Sequence, residues 1–378
     1  MAQAATNAQP PIEQRAGFGR RVAAALVRRR EASILVVLIG LVAYFSIRSE
    51  AFFGTDNAQV IAEFSAPIAI IAAGEVMLLI CGEIDLSAGM VFAFSTWIFY
   101  FANTDWSLPI WLAVVVGLLS GAAVGLVNGL ITVLLHVPSF ITTLGMAYLL
   151  NGLTLNISGA FPVETPGGHT FFRIFGASPY VTVYWALGVI VVMTVLLTRT
   201  RWGLHTVATG GNLLGASESG VNVRSVKVGN FVICSTLAAL AGILESVRID
   251  TIQALQGGFP LMFYAVAAAV IGGTSLFGGS GTIVGAALGV LVLAVLNLGF
   301  TIQGISAYWF DFILGVAIIV SMALNVSLER IRQSGSIDAA MIEADRLHER
   351  ALYRLMVIPG DEHRRNLEMW AELALSAI

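Results

Sequence analysis

The chain has 378 residues, of which 57% are hydrophobic and only 11% charged, with a mean hydropathy of +0.85 and a formal net charge of −3. A soluble domain carries about 25% charged residues, so this composition excludes an ordinary soluble enzyme or a nucleic-acid-binding protein and points to apolar surface buried in lipid and between packed helices. The net charge says little about partners, because the charges gather at the two ends and in one central loop.

Residues 1–31 are polar and basic, ending in Arg28, Arg29 and Arg30, and the apolar run behind them lacks a small-residue cleavage site. This segment reads as a cytoplasmic flank to a first span, not as a cleavable signal. At about 20 apolar residues per span, helices are predicted over 32–48, 59–81, 86–102, 109–134, 139–157, 181–198, 225–247, 261–272, 281–301 and 307–328. The first and eighth are short, and the fourth is long enough to tilt or break. The expected fold is an all-α, polytopic membrane helix bundle of about ten transmembrane helices, interrupted at two glycine-rich motifs.

Between Ser49 and Glu329 the chain holds six basic residues, and four of them, Arg199, Arg201, Arg224 and Lys227, bracket one polar loop. Cations flanking spans stay on the cytoplasmic side. Together with Arg330 and Arg332 after the last span, they predict that the loop 199–224 and both termini are cytoplasmic. The loops predicted outside contain only Arg48, Arg173 and Arg248. The longest of these, 158–180, is rich in Pro and Gly and is expected to be a shaped loop with few helical prospects.

Gly117, Gly121, Gly125 and Gly129 recur every four residues on the fourth span, and Gly281, Gly285 and Gly289 do so on the ninth, which predicts two buried helices approached closely by neighbours. The segments CGEIDLSAG (81–89) and IGGTSLFGG (271–279) form a possible internal echo that sets Asp85 and Ser275 at the same step. Broken helices at corresponding places mark a binding or gating region, because irregular backbone at membrane depth survives only when buried or lining a cavity. The acids Glu63, Glu75, Glu83, Asp85, Glu245 and Asp311 should therefore face the bundle interior or sit near an interface. Asp85 is expected to cap the third span, with contact to a translocation path as the alternative. Glu83, Asn128, Thr143, Asn151, Ser275 and Asn297 are the further candidates for the path or its gate, with interhelical hydrogen bonding the plainer role for the neutral ones. Trp106, Trp111, Tyr180, Trp185 and Trp309 read as an interfacial belt. Cys81 and Cys234 read as small buried hydrophobes.

Four ordered blocks carry a resemblance: GEIDLSAG, VPSFITTLG (137–145), ATGGNLLGASESGVNV (208–223) and AAVIGGTSLFGGSGTIVGA (268–286). In this order and at these spacings the chain resembles, over about residues 32–328, the permease subunit of the ribose/xylose-type ABC importers for monosaccharides. The resemblance implies a transmembrane permease domain in the inner membrane and a second permease copy forming a homodimer. It also implies a cytoplasmic ATP-binding subunit that binds and hydrolyses the ATP, and a periplasmic sugar-binding protein. It further implies that the loop after the sixth span holds a coupling helix docking into the ATPase, which assigns Gly210, Gly211, Asn212, Gly215, Ala216, Ser219 and Gly220 to coupling. From the residues themselves, Gly210 and Gly211 permit a tight turn, Asn212 can cap, and 213–219 can form two helical turns closed by Gly220. Leu213 and Leu214 stand where the family often has polar or charged residues, and Glu83 stands where it commonly has Gly, although some relatives resembling xylose permeases also carry Glu there.

The segment 329–378 lies outside the resemblance and is expected to be a cytoplasmic amphipathic helical extension. Leu347, Ala351, Leu355 and Ile358 mark one apolar face, and Arg346, Arg350 and Arg354 a cationic row. No GxxxxGK[ST], HExxH or GxSxG occurs in the chain, so no enzyme activity, metal or cofactor is expected of the chain itself. The rival reading is an ion-coupled secondary carrier or channel for a small polar solute using Glu83, Asp85 or Asp311.

Overall fold

A computed structural model describes residues 30–176, 178–306, 309–320 and 323. The basic amino-terminal flank, the proposed boundary at 328/329 and the amphipathic faces of 329–378 lie outside the described residues. The helices are α1 (Arg30–Arg48), α2 (Thr55–Ile80), α3 (Ala88–Thr104), α4 (Ile110–Leu134), α5 (Ser139–Ser158), α6 (His169–Phe175), α7 (Pro179–Arg199), α8 (Arg201–Gly211), α9 (Leu213–Glu218), α10 (Val223–Ile249), α11 (Gly258–Ile271), α12 (Ile283–Ile302) and α13 (Trp309–Val320). The only strands among the described residues are the two-residue β1 (Val163–Glu164) and β2 (Thr251–Ile252), which pair antiparallel.

Seven of these helices, α1, α2, α4, α5, α7, α10 and α12, are long and apolar enough to cross a membrane. At the remaining three predicted spans stand shorter helices: α3 has 17 residues, α11 has 14, and α13 is described only over 309–320. The predicted fourth span is unbroken over 25 residues.

The core forms around α2 and α10. The second half of α2, from Ala66 to Ile80, is buried throughout except for Pro67, because α10, α7, α12 and α11 surround it. α10 packs on α4 across the first glycine stripe. A Cβ at Gly125 would stand 2.4 Å from the carbonyl oxygen of Phe231, and one at Gly129 would stand 2.8 Å from the Cα of Val228. No larger residue permits that approach without moving a backbone. The second stripe serves α11 in the same way, with Gly289 against the Ala268 carbonyl and Gly285 against the Gly272 carbonyl. α1 lies at the periphery, with Phe45 filling the space beside Gly299 of α12.

The loop 158–180 departs from its expected irregularity. It contains α6, and β1 fastens it to the segment after α10, helped by Thr165 Oγ1 donating to the Ser246 carbonyl at 2.7 Å. The physical reason is an aromatic pair one helical turn apart: Phe171 and Phe175 stack with centroids 4.8 Å apart and are buried against Phe99, Trp111 and Trp185. Burying two aromatic side chains outweighs the local Pro and Gly content. Trp106, Trp111, Tyr180 and Trp309 are exposed, whereas Trp185 is half-buried and donates to the Ile174 carbonyl at 2.9 Å.

Candidate functional site

The two glycine-rich segments end their helices in the same way. At the end of α2, Glu83 N–H donates to the Leu78 carbonyl and Gly82 N–H to that of Leu79, with Gly82 at φ +81°. At the end of α11, Thr274 N–H donates to the Ala269 carbonyl and Gly273 N–H to that of Val270, with Gly273 at φ +82°. Both are Schellman motifs, in which a left-handed glycine lets the turn recapture the last helical carbonyls. The structural register pairs Gly82 with Gly273, one residue off the sequence alignment that set Asp85 opposite Ser275. Beyond the glycines the segments diverge, since α3 begins six residues after Gly82 and α12 ten after Gly273.

The α2–α3 turn (81–87) is pinned from three sides. From α5, Ser139 Oγ accepts from Ile84 N–H at 3.3 Å and Thr143 Oγ1 from Leu86 N–H at 3.0 Å. From α4, Asn128 Nδ2 donates to Ser87 Oγ at 2.9 Å. From α10, Ser235 Oγ donates to Asp85 Oδ2 at 3.1 Å, and Lys227 forms an ion pair with Glu83. Asp85 Oδ1 also accepts from Ser87 N–H at 2.8 Å and from Ser87 Oγ. Asp85 therefore takes the amide at the N-cap position of α3, not those of its first turn. Asp85, Ser87, Asn128, Thr143 and Ser235 are all fully buried, as is Glu75. A buried carboxylate needs such donors to offset its lost hydration.

The structure thus brings Glu83, Asp85, Asn128 and Thr143 together. Asn151 sits about 12 Å farther along α5 at 1.5 Å per residue and is half-buried. Ser275 is buried in the α11–α12 turn, where its Oγ accepts from Phe277 N–H. Asn297 lies half-buried on α12, about 21 Å beyond its first residue. Lys227, Ser87 and Ser235 complete the cluster. Nothing in the sequence marks Lys227 as the partner of an acid 144 residues earlier.

The predicted coupling loop contains two helices, α8 and α9. Gly210 and Gly211 end α8 as helical residues and do not form a tight turn. Asn212 caps α9, its Oδ1 accepting from Gly215 N–H at 2.9 Å. α9 closes in a third Schellman motif at Gly220, φ +84°. Its outward face consists of Leu213, Leu214, Ser217 and Glu218, whereas Ala216 is buried against the rest of the chain. Ala216 is accordingly turned away from any docking partner. A cleft of about 710 Å³ opens between α9, the end of α4 and the start of α10, lined among others by Glu83, His136, Leu213, Leu214, Arg224 and Lys227.

At the other end of α10, Arg248 pairs with Glu245 through two hydrogen bonds of 2.8 and 2.7 Å and with Glu63 of α2 at 3.3 Å. Lys227 and Arg248 are 21 residues apart on one helix, about 32 Å at 1.5 Å per residue. That distance matches the roughly 30 Å hydrocarbon core of a bilayer. Cys81 and Cys234 are buried and free, with Cys234 Sγ 3.6 Å from Glu75 Oε1.

Comparison with known proteins agrees with this architecture. Residues 57–322 match the family model described as branched-chain amino acid transport system / permease component. The chain is 41% identical to the xylose/arabinose import permease protein of Sulfolobus acidocaldarius over 314 residues, 81% of this chain and 87% of the relative. It is 34% identical to the ribose import permease protein of Escherichia coli (78% and 93% covered) and 35% identical to the galactose/methyl galactoside import permease protein of that organism (78% and 94%). No solved structure matches. With the family model covering most of the chain and these relatives aligned over nearly their whole lengths, the chain belongs to this permease-component family, on the side of its sugar-import members.

Proposed function

We propose that the chain is the transmembrane permease subunit of an ABC importer and forms, with a second copy of itself, the path for a monosaccharide such as a pentose, a hexose or a related polyol. The similarity that supports this extends over about four fifths of the chain, and it is shared with three permeases for different sugars. A separate ATP-binding subunit supplies the energy and an external sugar-binding protein supplies the ligand. The chain crosses the cell membrane ten times, with both termini and the α8–α9 segment in the cytoplasm. α3 and α11 complete their crossings through the adjoining turns at 81–87 and 272–282, in which Asp85, Ser87, Thr274 and Ser275 are buried, as irregular backbone at membrane depth can when it is enclosed by protein.

α9 is the coupling helix. Its support is the exposed pair Leu213 and Leu214, 52% and 68% accessible on a short helix bracketed by cations. Apolar side chains so placed are suited to a pocket on a partner protein. Leu214→Glu should reach the membrane at normal abundance but lose co-purification with the ATP-binding subunit and lose sugar uptake. A Leu214→Glu protein that co-purifies fully and transports normally would overturn the coupling assignment.

A further inference from the structure

α9 reaches the membrane core through α8, and α8 is fastened at two points to the last turn of α2. The first point is Asn230 of α10, fully buried. Its Oδ1 accepts from Trp202 Nε1 at 2.9 Å, and its Nδ2 faces Thr206 Oγ1 at 3.2 Å and the Met77 carbonyl at 3.3 Å. Thr206 Oγ1 in turn donates to the Trp202 carbonyl at 3.0 Å. One amide therefore ties two positions of α8 to a carbonyl at the end of α2.

The second point is Gly210. The Schellman ending of α2 leaves the Ile80 carbonyl without a helical partner, and Gly279 N–H of the α11–α12 turn donates to it at 2.8 Å. Gly210 rests directly on that bond. A Cβ there would stand 1.7 Å from Ile80 O and 2.7 Å from Gly279 N. Both contacts are with backbone, so no side chain can swing aside. Gly278, at φ +88°, backs onto the Gly210 carbonyl from the other side. The three glycine-bearing segments that the sequence shows separately thus meet at one hydrogen bond.

These two attachments are eight residues apart on α8 if measured from Trp202, about 12 Å, and they grip α2 within one turn, from Met77 to Ile80. Only Asn212 separates α8 from α9, and its side chain is engaged as the α9 cap. A displacement of α9 cannot be absorbed in so short a junction. We infer that α8 is the lever that carries movement of the coupling helix into the α2–α3 turn, with Asn230 and Gly210 as its positioning residues. This inference rests on α9 being the coupling helix. The turn it would move carries Glu83 and Asp85, so lifting α8 off Ile80 loosens the backbone that holds both acids.

The test is the number of sugar molecules imported per ATP hydrolysed by the complete complex in vesicles. Gly210→Ala should keep α9 and its docking face, co-purify with the ATP-binding subunit and still hydrolyse ATP. Its imported sugar per ATP should fall about tenfold, since overpacking against backbone shifts the joint by an energy of that order. Thr206→Val removes one hydroxyl at constant shape and should lower the same ratio by a smaller factor, and Thr206→Ser should restore it. Should Gly210→Ala fail to accumulate, the Thr206 pair decides. An unchanged ratio in Thr206→Val, or a ratio that Thr206→Ser does not restore, would overturn the lever. Because Leu214→Glu leaves both attachments intact, its loss of docking together with an unchanged ratio in the Thr206→Val complex would sink the lever while sparing the coupling helix.

Discussion

Asp85 shows what one side chain does at the centre of the cluster. Its two oxygens accept from Ser87 N–H, Ser87 Oγ and Ser235 Oγ, and the residue has no solvent exposure. Asp85→Asn keeps an acceptor for the Ser87 amide, and the Ser235 hydroxyl can turn to accept from the new amide. It should retain folded protein and much of the transport. Asp85→Leu strands Ser87 N–H and the Ser235 hydroxyl in a dry interior, at a cost of about 1–3 kcal/mol for each buried group left unpaired. It should therefore be recovered from the membrane in markedly lower yield. Detergent-extracted yield measured beside transport checks both outcomes. If Asp85→Asn instead stays folded and loses a pH dependence of uptake, Asp85 carries protons and is no structural acceptor. Reading along the chain predicts that Asp85 caps α3; it instead holds the amide of the N-cap residue Ser87, and Ser235, its partner from 150 residues away, cannot be found in that way.

At the scale of elements, hydropathy locates α1 to α5, α7, α10 and α12 because lipid and a packed bundle both reward long apolar runs. α6 and α8 escape the same reading for physical reasons. α6 is stabilised by tertiary burial of Phe171 and Phe175, and α8 carries too many small and polar residues to show an apolar run. The orientation of α9 is likewise not legible. Ala and Gly suggest a smooth contact face, yet Ala216 turns inward and the leucines turn out. The loop elements also supply a topology test. With Cys81 and Cys234 replaced by Ala, single cysteines at Ser219, just after α9, and at Gly168, just before α6, are both at exposed positions. An impermeant thiol reagent should label the Gly168→Cys protein from outside and the Ser219→Cys protein only after the membrane is opened. Labelling of both from outside would contradict the cytoplasmic placement of α8 and α9.

For the whole molecule, α10 joins two polar ends of the bundle, one of which the proposed topology places outside and the other inside. The Arg248 cluster and the loop held by β1 and β2 lie at one end. The Glu83–Lys227 pair, the 710 Å³ cleft and α9 lie at the other. The similarity to sugar-import permeases favours an external source of energy over an ion gradient. The most direct measurement is uptake of a labelled monosaccharide into vesicles holding the chain with its ATP-binding subunit, supplied with the sugar-binding protein outside. Uptake should require ATP inside and the binding protein outside, and the purified chain alone should give none under a proton gradient. Uptake driven by that gradient through the chain alone, with no response to ATP, would contradict the account.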